Sequence, residues 1–416
     1  MKLSRLVFLS VLGLAAGSLA ADPRVIHALL WTDGEGQSLN HALEAGIEDF
    51  EQSHVGKYKV DPEWVAPPEA EARLDTLLAS DSPPDVFMTD AVSLKRRIAV
   101  GAPLALDDFL AADPGWRDRF PRPLLDLLRS DGRLYAVPIA QTSVFLYYNT
   151  EIFRGSGLAV PRTWEELTSA VQVLLWKGLI PIAFSNKEGW EGVLLSQVIA
   201  ERIGGPDVFA GAAEGRLDAA RPELQKAGEA LSQLVRLGAF PEGFRDLTEA
   251  QAISLFRQGK AAMLISRERL FAALNFSGSA VKNKTDLVPF PLFTDGKGDA
   301  GSWIASPDFD LVVSRKSANQ NVAVEFIKTY MSDDLQQHFA AHIFLPVTMS
   351  GMDPEQLVPL QRKALGLLGR MTRASLFLDR ALPPGVMARY AEAIRAILAG
   401  AAPGPALADF SAGGAQ

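Results

Sequence analysis

The chain has 416 residues, a formal net charge of −8 and no cysteine. The lack of cysteine excludes disulfides, thiol catalysis, thiolate zinc sites and iron–sulfur clusters, so stability must come from hydrophobic cores. The acidic balance, without a stripe of Lys and Arg, argues against a nucleic acid partner, and the length suffices for two domains.

The first segment has the pattern of a secretory signal peptide. Lys2 and Arg5 precede an apolar run at 6–16, and small residues follow at 17–21. The run is shorter than the ~20 residues that span a bilayer. We therefore predict that residues 1–21 are removed on secretion. We also predict that the mature protein is free in the periplasm, because a lipid anchor would require a cysteine at the cleavage site.

From residue 25 onward, predicted strands and helices alternate. A strand at 25–31 ends in a turn containing glycines and leads into a helix with apolar residues at helical spacing over 39–50. A strand at 58–65, a helix at 69–79 and a short strand at 86–88 follow. This alternation predicts a parallel, doubly wound sheet whose ligands bind at the carboxyl ends of the strands.

Two extended segments are predicted to cross between lobes. The stretch 134–149 has no helical period, and the piece at 287–293 contains two prolines, which disfavour the centre of a sheet. Between them, Thr163 and Glu166 form a capping box that begins a helix, and a second alternating region runs to a strand at 261–266. Later elements are predicted as a strand at 311–313 and helices at 319–331, 354–373 and 384–398.

Several short motifs together resemble one known family. They are PDVF at 84–87, GRLYAVP at 132–138, LYYN at 146–149, PRTWEEL at 161–167, FRQGKAAM at 256–263, VSRKS at 313–317, AVEFI at 323–327 and LPV at 345–347. Their order and spacing resemble the extracellular solute-binding proteins of ABC importers, the group that includes the maltose-binding proteins. The resemblance implies a protein that captures a solute, most often a sugar, and hands it to the membrane subunits of an importer.

The resemblance also implies the fold class, which is the type II periplasmic binding protein fold. Two doubly wound α/β lobes would be joined by hinge strands near 138–146 and 287–293, and would close on the ligand. We expect a monomer that has no cofactor and is not an enzyme. The predicted lobes are 22–138 with 294–345 for the N-terminal lobe, and 139–293 with 346–416 for the C-terminal lobe.

The candidate site residues are polar groups and tryptophans at strand ends and crossings. A sugar presents hydroxyls that donate and accept, and C–H faces that pack on aromatic rings, so its site needs carboxylates, amides and aromatic residues. In the first lobe and its crossing strand the predicted ligand-binding residues are Trp31, Asp33, Glu35, Asp90, Gln141 and Thr142. In the second lobe and the returning segment they are Asn186, Trp190, Arg267, Trp303 and Asp308.

Each candidate also has a structural interpretation. The tryptophans are equally typical of a core, and the acids near Trp31 and at Asp90 are typical of helix caps. His338 and His342 lie one helical turn apart, but the Glu of a metalloprotease motif is missing between them, so no metal site is predicted. The glycines of 296–301 are not followed by a helix start, which disfavours a dinucleotide site.

Two other functions remain open. Where relatives commonly carry a Gly and a Trp after the motif that ends at Met263, this chain has Arg267 and Arg269. A guanidinium pairs bidentately with carboxylate or phosphate, so the first alternative is an anionic solute such as a sugar acid or a phosphodiester. The same arginines are also typical of the solvated face of a helix. The remote alternative is a secreted glycan-acting enzyme with two carboxylates.

Overall fold

The computed structural model of the chain describes residues 23–34, 38–211, 221–275, 277–342, 344–348 and 350–412. The predicted signal peptide at 1–21 and the candidate Glu35 lie outside these residues. Within them, no helix combines the length and the apolar character needed to cross a membrane.

The described strands form one mixed sheet and a separate hairpin. They are β1 (Arg24–Trp31), β2 (Tyr58–Val65), β3 (Val86–Thr89), β4 (Arg129–Ser130), β5 (Arg133–Leu134), β6 (Val137–Asn149), β7 (Ile180–Ala183), β8 (Ala261–Arg267), β9 (Thr285–Val288), β10 (Ser302–Val313), β11 (Leu345–Pro346) and β12 (Arg373–Ser375). β4 and β5 make the hairpin.

The described helices begin and end as follows. They are α1 (Ser38–Ser53), α2 (Pro67–Ala79), α3 (Ala91–Ala99), α4 (Asp107–Ala112), α5 (Pro114–Arg117), α6 (Arg122–Asp126), α7 (Thr150–Ser156), α8 (Trp164–Trp176), α9 (Trp190–Gly204), α10 (Pro222–Leu237), α11 (Glu249–Arg257), α12 (Leu270–Asn275), α13 (Gln320–Thr329), α14 (Asp333–Ala341), α15 (Pro359–Leu368), α16 (Leu378–Ala381), α17 (Pro384–Leu398) and α18 (Pro403–Ala412). Short 3-10 helices span Pro206–Phe209 and Pro354–Gln356.

The sheet consists of two parallel parts joined by antiparallel strands. Its central order is β2-β1-β3-β10-β6-β8-β7. β1 is parallel to β2 and β3, which we call the first half-sheet, and β7 is parallel to β8, the second half-sheet. β10 is antiparallel to β3 and β6, and β6 is antiparallel to β8. The parallel pairs follow from the alternation of strands and helices in the sequence.

The long strand β6 runs through both half-sheets, as predicted for 138–146. Residues up to Ser143 pair with β10, and residues from Val144 onward pair with β8 and β9. All 13 residues of β6 are buried. The strand therefore has covered faces along its whole length, which explains why its sequence shows neither a helical period nor a clean alternation.

The second crossing differs from the prediction. The segment 287–293 overlaps β9, which pairs with the second part of β6, from Leu146 to Asn149. The strand next to β6 at the crossing is β10, which continues into the first half-sheet through its pairs with β3. Pro307 lies in the middle of β10, opposite Gln141. Because proline lacks an N–H for the ladder, its presence masks the strand in the sequence.

Two hydrophobic cores hold the helices on the sheet. The first packs α1 and α13 on the first half-sheet, with Phe50 against Phe326 at 5.3 Å between ring centroids. The second packs α8, α9, α10 and α17 on the second half-sheet, around fully buried residues such as Ile199 and Leu231. The predicted capping box begins α8, where the Thr163 hydroxyl accepts the N–H of Glu166 at 3.2 Å.

Candidate ligand-binding cleft

A cleft of about 1040 Å³ lies between the two half-sheets. Its walls come from the end of β1 and the start of α3 on one side, and from α9, α16 and α17 on the other. Four predicted site residues line it, namely Trp31, Asp90, Trp190 and Asp308. The volume lies at the upper end of the roughly 300–1000 Å³ that is typical of small-molecule sites.

Asp90 is both a helix cap and a residue that lines the cleft, and its sequence position was consistent with either role. Its Oδ1 accepts the backbone N–H groups of Val92 and Ser93, both at 2.8 Å, so it caps α3. Its Oδ2 accepts the Ser93 hydroxyl at 3.2 Å, and the residue also lines the cleft. The short loop after β3 thus places a fixed carboxylate at the carboxyl end of the first half-sheet.

Trp31 and Phe309 form an aromatic corner of the cleft. Their ring centroids are 6.5 Å apart and the planes are nearly perpendicular, at 81°. Phe309 has a φ of 55°, a left-handed conformation that is rare for a bulky residue. Successive strand residues normally face opposite sides, yet both Asp308 and Phe309 line the cleft. The left-handed conformation of Phe309 accounts for this exception to the alternation. Backbone strain of this kind clusters at functional sites.

Trp190 projects from the first residue of α9. Gly189 precedes it with a φ of 90°, where a Cβ would collide with the guanidinium of Arg395. Asn186 lies in the same loop but is buried away from the cleft, and its Oδ1 accepts the N–H of Gly192 at 2.9 Å. The predicted ligand contact of Asn186 is therefore replaced by a structural one, which fixes the start of the helix that carries Trp190.

Opposite charges alternate along the floor of the cleft. Asp308 lies between Arg269, 3.7 Å away, and Arg380, 3.6 Å away. Both distances are longer than a direct hydrogen bond, so the three groups retain capacity for further partners. Asp379, which also lines the cleft, accepts a hydrogen bond from Arg267 at 2.6 Å.

Asp310 is a buried carboxyl two residues beyond Asp308. It is fully buried, and neither of its oxygens has a hydrogen-bond partner among the described residues. Burial, reinforced by the neighbouring charges of Asp308 and Asp90, raises the pKa of Asp310 well above its ordinary value. Burial and the neighbouring carboxylates therefore both favour the protonated form of Asp310.

Gln141 and Thr142 do not line the cleft, because their side chains make hydrogen bonds within the protein at the crossing strand β6. The Gln141 amide donates to the carbonyls of Pro346 and Val347 at 2.8 and 3.1 Å. The Thr142 hydroxyl donates to Glu268 at 2.6 Å. Both residues are buried inside the sheet. Their neutral polar groups, which were predicted to contact a sugar, here hold β6 in place.

Asp33 and Trp303 also lie outside the lining of the cleft. Asp33 is exposed and its Oδ2 accepts the N–H of Leu39 at 3.2 Å, so it caps the start of α1. Trp303 is 3% exposed and packs on Phe145 at 5.5 Å between ring centroids. For these two residues the structural interpretation holds in this conformation.

The cleft contains residues that sequence reasoning missed. Asp379 and Arg380 belong to α16, a helix that the sequence patterns did not predict, and Met387 belongs to α17, predicted as the helix at 384–398. Adjacent charges followed by Pro383 and Pro384 could have drawn attention to this segment as a rigid polar turn. No group of three or more potential metal ligands occurs in the described part of the chain.

The comparison with family models identifies the chain. The model of the family described as bacterial extracellular solute-binding protein matches residues 34–337. The chain belongs to this family. The resemblance drawn from the short motifs is thereby confirmed.

Curated relatives of this solute-binding protein are distant. The multiple sugar-binding protein of Streptococcus mutans is 24% identical over 237 residues, which cover 55% of this chain and 54% of the relative. The sn-glycerol-3-phosphate-binding periplasmic protein of Rhizobium meliloti is 25% identical over 254 residues, covering 57% and 56%. The matched part of the chain thus spans little more than half of these relatives.

Solved structures confirm the fold class. The bacterial solute receptor AcbH, whose structure is described with an exclusive preference for β-D-galactopyranose, has a TM-score of 0.81 at 18% identity. The match covers 95% of this chain and 97% of the receptor. The solute-binding protein therefore has the predicted fold of two α/β lobes joined by crossing strands.

Replacing Glu268 by leucine is expected to destabilise the solute-binding protein by about 2–4 kcal/mol. The buried carboxylate accepts the Thr142 hydroxyl and the Ser143 N–H, at 2.6 and 3.1 Å, where β6 leaves β10 and joins β8. Leucine would leave both donors unpaired. Urea unfolding measures the loss, and Glu268→Gln, which keeps an acceptor, should lose less. Equal stability of Glu268→Leu and wild type would contradict this role.

Proposed function

We propose that this protein binds a neutral carbohydrate in the cleft between its lobes and delivers it to the membrane subunits of an ABC importer. It would act in the periplasm as a binding protein and not as an enzyme. The observation that carries the proposal is the cleft itself, which the rings of Trp31, Trp190 and Phe309 line together with paired carboxylates and guanidinium groups. The family and the relatives named for sugars support the same conclusion.

The alternating charges suit hydroxyl groups. A hydroxyl donates to a carboxylate and accepts from a guanidinium at the same time, which Asp308 and its neighbours Arg269 and Arg380 allow. Aromatic rings supply the apolar surface for the C–H faces of a sugar ring. The two kinds of surface in one cleft match the two kinds of surface on a carbohydrate.

Charge balance favours a neutral ligand over an anion. The arginines that line the cleft each lie within 4 Å of a carboxylate: Arg96 near Glu71, Arg269 and Arg380 near Asp308, and Arg395 near Glu392. An anionic solute would therefore meet guanidinium groups whose charge is already partly balanced by these carboxylates. The glycerol-phosphate-binding relative keeps the anionic alternative worth testing.

Titration of the mature protein by calorimetry and thermal shift tests the proposal. The panel contains mono- and oligosaccharides, sugar acids, polyols and glycerol phosphodiesters. A ligand that binds only the native state must raise the melting temperature. We expect a rise with neutral sugars and none with the anions. A response to anions alone would refute neutral binding, and new reducing ends after incubation with oligosaccharides would indicate an enzyme.

Asp308→Asn is expected to weaken binding of the responding sugar by tenfold or more, about 1.5–3 kcal/mol for a hydrogen bond to a charged group. The substitution keeps the shape of the side chain but removes the charge between Arg269 and Arg380. The freed guanidinium groups should then gain measurable affinity for sugar acids. Calorimetry with both ligand classes checks this exchange, and an unchanged sugar affinity would exclude Asp308 from the site.

A further inference from the structure

Arg267 contacts two aromatic rings and one carboxylate at the end of β8. The centre of its guanidinium is 5.1 Å from the ring centroid of Trp190 and 4.3 Å from that of Phe377. It donates to Oδ2 of Asp379 at 2.6 Å, and its side chain is 17% exposed. Trp190 and Asp379 line the cleft, whereas Arg267 lies behind them. The guanidinium therefore joins two groups of the cleft from the protein side.

Other contacts besides Trp190 restrict the position of this guanidinium. Phe377 is fully buried, so the ring on that side belongs to the core. The backbone of Arg267 pairs with Val144 on β6, and its carbonyl accepts the Tyr147 hydroxyl at 3.1 Å. Trp190 is partly exposed and stands at the first turn of α9, after a glycine. The arginine is thus carried by a paired strand and held against a core ring, whereas the indole stands at a helix start.

We propose that Arg267 is a positioning residue that holds the Trp190 ring in place for stacking on the ligand. The inference rests on the proposed function and deepens it, because it assigns the residue that sets the ligand-facing ring. A cation held against an indole face is attracted by the ring quadrupole, more strongly when water is excluded. Asp379 neutralises the guanidinium, so Arg267 acts through Trp190 and does not bind an anion itself.

A small cavity borders the Trp190 ring. About 20 Å³ of space, enough for one water molecule, lies behind Trp190 and is lined by Glu191, Glu249 and Ser266. Without the guanidinium, the indole loses its partner on that side and gains freedom at the helix start. The ligand would then have to order the ring on binding, which lowers affinity without the loss of any direct contact.

The first test observes the ring without ligand. The protein is labelled with 5-fluorotryptophan, and the Trp190 resonance among the seven tryptophans is assigned by its absence in Trp190→Phe. We expect Arg267→Met to shift and broaden this resonance, and Arg267→Lys to restore part of the wild-type signal. Arg362→Met, which removes the ion pair between Arg362 on α15 and Glu355, is the control and should leave the resonance unchanged. An unchanged resonance in Arg267→Met would overturn the inference.

The second test is a double-mutant cycle on affinity for the sugar that responds best. Arg267→Met should weaken binding roughly tenfold when Trp190 is present, and have little further effect in the Trp190→Ala background. Additive losses would show that Arg267 acts on the ligand independently, and would overturn the inference. If no sugar binds the wild type, the proposed function fails, while the fluorine spectrum of the free protein still decides the link between Arg267 and Trp190.

Discussion

Replacing Trp190 by alanine is expected to weaken carbohydrate binding by roughly ten- to a hundredfold, which corresponds to about 1.5–3 kcal/mol. The indole is half-buried at the start of α9 and lines the cleft. Its loss would remove the apolar face on which a sugar ring packs and leave the polar contacts of Asp308 in place. Specificity for the sugar should therefore be retained in part, while the dissociation rate increases.

Trp176 provides the matched control for this prediction. It lies at the end of α8, is 86% exposed and does not line the cleft. Trp176→Ala should bind the ligand as the wild type does. Calorimetry on both variants, with Trp190→Phe as a ring-preserving intermediate, gives the comparison. Equal affinities for Trp190→Ala and Trp176→Ala would remove Trp190 from the proposed site.

Much of the fold is encoded in local patterns. The strand at 58–65 and the helix at 384–398 have the predicted bounds, and the helix after Thr163 begins with the predicted capping box. In each of these segments a single local signal is enough to predict the element, namely alternation of apolar residues, helical spacing or a cap. β10 was found only in part, because Pro307 interrupts its pattern and its pairing with β6 is set by tertiary structure.

The sequence predicts those residues of the cleft whose positions follow from the topology of the sheet. Trp31 is the last residue of β1 and Asp90 directly follows β3, so their place at the carboxyl end of the parallel strands follows from the alternation of elements. Asp379 could not be found in this way, because its ion pair with Arg267 joins residues 112 positions apart. The left-handed backbone of Phe309 likewise has no sequence signal, since the residue type disfavours it.

The stability of the protein is expected to fall as the pH rises from about 5 to 8. Burial raises the pKa of Glu201, and of Glu191, to about 7. Glu201 is packed within α9, where the Gln197 amide donates to it at 2.9 Å. Glu191 accepts the Ser185 hydroxyl at 3.0 Å, and the nearby charge of Glu188 raises its pKa further. Both carboxyls hold protons in the native state that the unfolded chain has already released.

The sign follows from proton linkage. Between pH 4.5 and about 7 the native state binds more protons than the unfolded state, so the free energy of unfolding decreases with rising pH. Each carboxyl contributes at most about 3 kcal/mol to this loss. At lower pH the opposite effect begins, because the hydrogen bond from Lys328 lowers the pKa of Asp113 and protonation removes that interaction. A stability maximum near pH 5 should result.

Urea unfolding at pH 5, 6, 7 and 8 measures this dependence. Glu201→Gln and Glu191→Gln keep the shape of the side chain and cannot ionise, so each should match the wild type near pH 5 and exceed its stability at pH 8. Glu48→Gln, on the exposed face of α1, should follow the wild-type curve at every pH. If both buried variants lose stability with pH as steeply as the wild type does, the decline arises elsewhere, and the native state tolerates these two charges.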